Sequence, residues 1–157
     1  MYQAISRSAV GGLAGLVATV PMTGVMAAVE RGLMPTIQAL APKQIVANTV
    51  ERANIGHINR RTRNVASWIA HFAFGAATGA IYPLVSSRIP LPATVKGSVY
   101  GLAVWASSYL GWLPAARILP PATKQTRRRN VSLIAAHLVW GATVGVLVNR
   151  LARDQRH

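Results

Sequence analysis

Four stretches of this 157-residue chain are long and apolar enough to cross a lipid bilayer, and they leave few choices for its fold. They run approximately over residues 9–29, 65–85, 95–113 and 131–151, and none has an acidic side chain in its middle. A transmembrane helix needs about 20 such residues, each adding about 1.5 Å of rise. The sequence therefore predicts an all-α, four-span transmembrane bundle in a single domain over residues 1–157.

One pattern occurs twice, in the second and fourth stretches, at a separation of 66 positions. Each copy has an arginine cluster, then seven residues, a histidine and a run of small residues. The identical pairs are Arg61/Arg127, Arg63/Arg129, Asn64/Asn130, Val65/Val131, Ala70/Ala136, His71/His137, Gly75/Gly141, Ala76/Ala142 and Gly79/Gly145. Internal repeats are a common way to build membrane bundles, so the pattern predicts a duplicated architecture.

Every stretch also carries two glycines four residues apart, a spacing that lets transmembrane helices pack backbone to backbone. The predicted packing glycines are Gly11, Gly15, Gly75, Gly79, Gly97, Gly101, Gly141 and Gly145. The first and third stretches match weakly at an offset of 86, through Gly11/Gly97, Gly15/Gly101 and Leu16/Leu102. The chain is therefore interpreted as two direct copies of a two-helix unit, related by an axis along the membrane normal.

The links between the stretches differ in kind. The segment of approximately residues 42–55 begins at Pro42 and places apolar and polar side chains on opposite helical faces. This pattern predicts a short amphipathic helix. This helix can lie in the membrane interface or cap the bundle, and the pattern fits both equally. The link Ser86–Thr94 is short and contains two prolines, so the second and third spans should form a hairpin.

The charge balance is strongly basic, with a net charge of +14 and only three acidic residues. The basic residues flank apolar runs instead of lining a soluble face, so we expect membrane lipids as partners and no nucleic acid. The residues expected to orient the helices and meet lipid headgroups are Arg61, Arg63, Arg127, Arg128 and Arg129. Links 31–64 and 114–130 hold eleven of the 17 basic residues, which places them in the cytoplasm and both termini outside.

The candidate functional residues are His71 and His137, because ionisable groups inside a membrane are costly and often functional. If their small-residue faces meet at the pseudo-twofold axis, the two imidazoles approach each other and could ligate one haem iron. A metal ion alone is a weaker alternative, since no carboxylate or thiolate accompanies the pair. The interpretation that we favour is structural, with both histidines packed inside the bundle and forming hydrogen bonds to a neighbouring helix, and a substrate or proton path is a further alternative. The hydroxyl partners considered for such bonds are Thr19, Thr23, Ser107 and Ser108.

The order of several aromatic and histidine-containing segments carries a resemblance to a known family. The segments are Trp68–Phe74, Ile81–Tyr82, Lys96–Gly97, Tyr100–Trp105 and Ala136–Trp140, with the proline-led amphipathic segment after Pro42. The chain resembles the YagU-like family of bacterial inner-membrane proteins over most of its length. The resemblance implies a small multi-pass protein of the bacterial inner membrane, with histidines at the positions of His71 and His137 and no settled activity.

Catalysis is poorly supported by the residues present. The chain has no cysteine, Ser107 and Ser108 have no evident base and acid partners, and no carboxylate falls within a span to couple ion transport. We therefore predict a non-catalytic accessory or structural subunit that packs against itself or a larger membrane complex. The alternatives are a haem- or pigment-binding electron-transfer subunit that uses His71 and His137, and a small channel or transporter.

Overall fold

The computed structural model describes residues 2–33, 41–52 and 59–154, and every regular element in these ranges is helical, as predicted. The elements in chain order are α1 (Tyr2–Leu33), α2 (Ala41–Arg52), α3 (Arg60–Ser86), α4 (Ala93–Ala106), a π-helical turn (Ser107–Trp112), α5 (Leu113–Ala115), a 3₁₀ turn (Ala122–Lys124) and α6 (Arg127–Asp154).

Three helices in the described ranges are long and apolar enough to cross a membrane, and they indicate a membrane protein. They are Ser6–Val29 within α1, the whole of α3, and Arg127–Ala152 within α6. The third predicted span, residues 95–113, is not one continuous α-helix, because α4 ends at Ala106 and gives way to the π-helical turn. Within that turn Gly111 leaves the helical region, with φ −106° and ψ −105°.

The long helices pack in antiparallel pairs, α1 with α3 and α4 with α6, through facing glycines. A Cβ atom added at Gly15 would lie 2.8 Å from the Cα of Gly79, and one at Gly97 would lie 2.8 Å from the carbonyl carbon of Gly141. Real Cβ atoms almost never come within 3.0 Å of another heavy atom, so these backbones can approach only at glycine. The same two contacts contain the other four predicted glycines, Gly11, Gly75, Gly101 and Gly145.

The register of these contacts differs from the sequence match between the first and third stretches. Gly15 faces Gly75 and Gly79, and Gly97 faces the two glycines that lie 66 positions after them. The contacts of Gly97 on α4 therefore correspond to those of Gly15 on α1 and not to those of Gly11. The offset between corresponding residues of α1 and α4 is 82 instead of the predicted 86, a difference of about one helical turn. Such a slip is possible because residues four apart lie on the same helix face.

The two glycine-packed pairs meet unequally. Helices α1 and α6 are in extensive contact, whereas α3 and α4 touch at few points. Trp140 on α6 is 2% exposed, and its Nε1 donates a hydrogen bond to the Gly15 carbonyl at 3.1 Å. At the equivalent position of α3, 66 residues earlier, the smaller Phe74 is 39% exposed. The bundle is thus closed between α1 and α6 and spread between α3 and α4, where the Tyr100 hydroxyl donates to the Thr78 carbonyl at 2.7 Å.

Helix α2 packs against α3 at one end of the bundle, and its Ile45 contacts the core. The Asn48 amide nitrogen donates to the Ile118 carbonyl at 2.8 Å, which ties α2 to the loop before α6. These contacts favour the capping alternative, and immersion of α2 in the lipid interface stays a prediction. The helix ends at Arg52, and the last residues of the predicted range lie outside the described residues. At the other end, a short link joins the end of α3 at Ser86 to the start of α4 at Ala93, but the two helices of this predicted hairpin touch at few points.

Candidate intramembrane site

A cavity of about 210 Å³ lies where α3 and α4 spread apart. Its walls are formed by α1, α3, the π-helical turn with the end of α4, and α6, and α2 closes the end near the start of α6. Among the described residues that line it there is no charged side chain, and most of the surface is apolar. The polar lining comes from Thr19, Ser67, His71, Thr78, Ser108, Tyr109, His137 and Trp140. The structure thus brings both predicted histidines to one cavity.

His137 is held by α6 with one ring nitrogen turned to its own helix. The side chain is 5% exposed, and its Nδ1 lies 2.7 Å from the Leu133 carbonyl. A carbonyl oxygen only accepts hydrogen bonds, so Nδ1 must carry the proton. In the neutral ring Nε2 is then a hydrogen-bond acceptor. Tyr109 packs edge-on against the ring, with centroids 6.0 Å apart, and fixes its orientation. His137 therefore brings an oriented acceptor to the cavity wall.

His71, on α3, has the opposite arrangement. Its Nε2 lies 3.3 Å from the hydroxyl oxygen of Thr23 on α1. That hydroxyl already donates its hydrogen to the Thr19 carbonyl at 2.7 Å, so it can only accept from the imidazole. The proton of a neutral His71 is consequently on Nε2. This interhelical bond is one of the structural roles expected for the histidines, with one of the hydroxyl partners considered from the sequence.

The π-helical turn supplies the least satisfied polar group of the site. Ser108 is 3% exposed, and its hydroxyl has no hydrogen-bond partner within the described structure. A buried hydroxyl without a partner typically costs 1–3 kcal/mol, so a group that bonds to it would be favoured. Turns with π-helical geometry occur frequently at functional sites because they displace side chains from regular positions. Here the turn presents Ser108, Tyr109 and Trp112 to one cavity.

Helix α2 forms the cover of the cavity. Pro42, Ile45 and Val46 contribute its apolar inner face. On its outer side the Gln44 side-chain oxygen accepts a hydrogen bond from Arg129 at 2.7 Å. The cover is thus joined to α6 by this polar contact and to the loop before α6 by the hydrogen bond of Asn48.

Of the five arginines expected to meet lipid headgroups, four have exposed side chains. These are Arg61, Arg63, Arg127 and Arg128. Arg129 is half-buried and braces α2. The headgroup role of the four exposed arginines stays a prediction, since it depends on the surrounding lipid.

A haem does not fit this cavity as it is formed. Its volume of about 210 Å³ lies below the roughly 300–1,000 Å³ of pockets that hold drug-sized ligands. The Nε2 of His71 is engaged by Thr23, so ligation through that nitrogen would require this hydrogen bond to break. Loading a haem would require the helices to separate.

The sequence identifies the two histidines and offers Ser108 as a partner for them. Nothing in it indicates that Ser108 and Trp140 line the same cavity as the histidines. The sequence contains one signal that the two copies of the repeat differ, because position 74 holds Phe and position 140, which is 66 residues later, holds the larger Trp in otherwise similar segments.

Comparison with known proteins gives a family without an assigned activity. Residues 38–146 match the model of a family described as "Protein of unknown function (DUF1440)". The match covers more than half of the chain, so the chain belongs to this family. No curated protein and no solved structure is significantly similar to it. The YagU-like name and the bacterial origin stay predictions.

Proposed function

We propose that this DUF1440 protein is a four-span protein of the bacterial inner membrane that acts without catalysis, by binding a small neutral molecule in the cavity between its helix pairs. The fourth crossing would be the helical stretch of residues 93–115, from α4 through the π-helical turn to α5. At about 1.5 Å per residue this stretch would reach roughly 35 Å, enough to cross a hydrocarbon core of about 30 Å. The two glycine-packed pairs would then be the two copies of the repeated unit.

The observation that carries the proposal is the pairing of Ser108 and His137 on an otherwise apolar cavity. Ser108 offers a buried hydroxyl without a partner, and His137 offers the acceptor Nε2. Both line the same uncharged space. Binding sites for small molecules typically combine an apolar lining with a few fixed polar groups. The site therefore suits a compact, neutral, largely apolar molecule with one hydroxyl or N–H group.

The size of the cavity sets the upper limit of the ligand. A protein cavity of about 150 Å³ lined by apolar side chains can bind benzene. A cavity of about 210 Å³ has room for a ring with one or two substituents. Phenol is thus a suitable probe, because its hydroxyl can donate to His137 and accept from Ser108, and benzene is the matched probe without the hydroxyl.

The test is a titration of the purified protein in lipid nanodiscs with phenol and with benzene, followed by tryptophan fluorescence. Trp112 and Trp140 line the cavity and report on its occupancy. One hydrogen bond is worth about 0.5–1.5 kcal/mol, so phenol should bind about 2- to 10-fold more tightly than benzene. His137→Phe keeps a ring in place and should remove the advantage of phenol.

Val104→Phe is the control for partition into lipid. Val104 is buried and lines the cavity, so a larger side chain there should abolish the response to both probes. If both probes change the fluorescence of this variant as much as that of the unmodified protein, they report on lipid and not on the cavity. The proposed binding function would then be wrong, and the accessory or structural role predicted from the sequence would be the one to pursue.

A further inference from the structure

We propose that a second cavity, at the opposite end of the bundle, binds a phosphate group. This cavity has a volume of about 240 Å³ and lies among the start of α1, the end of α3, the start of α4 and the end of α6. It is separate from the cavity between α3 and α4, and no lining residue is shared between the two.

Two cations from different helices line this second cavity, Arg7 of α1 and Lys96 of α4. No acidic side chain is found among its described lining residues. The Lys96 ammonium makes one long hydrogen bond of 3.5 Å to the Ser86 carbonyl, which holds it at the wall and leaves other donor positions open. An arrangement of two positive charges without a carboxylate selects an anion.

Uncharged donors add the features of an oxyanion site. The cavity is also lined by the hydroxyls of Ser86 and Ser87 and by the amide of Asn149. Helix α4 begins at Ala93 on the cavity wall after Pro92, and no side chain caps its first turn. The uncapped backbone N–H groups of this 14-residue helix carry a partial positive charge that favours an anion. A phosphate group has enough acceptor oxygens to use both cations and these donors together.

The phosphate can belong to a lipid headgroup or to a free ion, and the experiment separates the two sources. Binding of phosphatidylglycerol and of phosphatidylcholine to detergent-purified protein is measured by native mass spectrometry, and binding of inorganic phosphate by calorimetry. The variants are Arg7→Gln, Lys96→Gln and Asn149→Ala. Arg88→Gln is the matched control, because Arg88 is an exposed cation in the loop at the same end that does not line the cavity.

Each lost cation should weaken binding of phosphatidylglycerol about fivefold, the effect typical of one basic residue near an anionic lipid surface. Asn149→Ala should weaken it as well without any change of charge, and Arg88→Gln should leave it unchanged. If the four substitutions have these effects on the binding of inorganic phosphate and not on that of the lipids, the site is supported with a free ion as its ligand. If Arg88→Gln acts like Arg7→Gln and Lys96→Gln, the binding is general electrostatic attraction and the proposal is wrong. It is equally wrong if neither lipid nor phosphate binds.

Discussion

Replacing Gly15 by alanine tests the close contact between α1 and α3. A Cβ atom at this position would lie 2.8 Å from the Cα of Gly79 and even closer to the carbonyl oxygen of Gly75. Backbone atoms cannot move aside as a flexible side chain can, so the helices must separate. Overpacking of this kind typically costs about 1–3 kcal/mol.

Two other glycines of α1 provide matched controls. A Cβ atom at Gly12 would lie 3.5 Å from its nearest neighbour, the Ala76 carbonyl oxygen, and one at Gly24 would have no heavy atom within 4 Å. All three substitutions gain up to about 1 kcal/mol of helix propensity, so the comparison isolates the steric cost. Gly12→Ala and Gly24→Ala should leave the free energy of unfolding unchanged or raise it. The free energy of unfolding of Gly15→Ala should be about 1–3 kcal/mol lower than that of these two variants.

The assay is reversible unfolding of the three variants in mixed micelles with increasing dodecyl sulfate, followed by circular dichroism. The free energy of unfolding is compared at one detergent composition, so that the reference state is shared. If Gly15→Ala is as stable as Gly12→Ala, the backbone contact between α1 and α3 is not formed as described and the reasoning is refuted.

Three further predictions concern packing, backbone strain and orientation. Trp140→Phe should lower the free energy of unfolding by about 1–3 kcal/mol, because it removes the hydrogen bond to Gly15 and leaves a void. The reciprocal Phe74→Trp should change the free energy of unfolding by less than about 0.5 kcal/mol. The unfolding assay described above measures both variants. Arg117 has a φ of 56°, which is unfavourable for residues other than glycine, so Arg117→Gly should raise the free energy of unfolding by about 1 kcal/mol. An unchanged free energy of unfolding in this variant would contradict backbone strain at Arg117. Reporter fusions at the C-terminus should be active outside the cytoplasm, and activity of a cytoplasmic reporter there would overturn the orientation derived from the charge distribution.

The helices were largely predictable from local sequence. Apolar length identified α1, α3 and α6, because the membrane requires about 20 residues in each. Glycines four residues apart lie on one side of a helix, and in the structure the four such pairs lie at contacts between helices. The described helices extend beyond the predicted spans because helical hydrogen bonding continues into the polar flanks.

The contact register and the site depend on interactions between helices and were not predictable in this way. A slip of one turn between α1 and α4 preserves the same face, so periodicity cannot choose between offsets of 82 and 86. The π-helical turn that presents Ser108 has no distinct sequence pattern. Trp140 is buried against α1 whereas Phe74 is exposed, a difference that depends on contacts between helices.

The most direct test of the binding site is nitrogen-15 NMR of histidine-labelled protein in lipid, with and without phenol. The chain has four histidines, and substitution of each assigns its resonances. The arrangement predicts that His137 carries its proton on Nδ1 and His71 on Nε2, and that phenol shifts the Nε2 resonance of His137 alone. A proton on Nε2 of His137, or a resonance of His137 that phenol leaves unchanged, would contradict the proposed site.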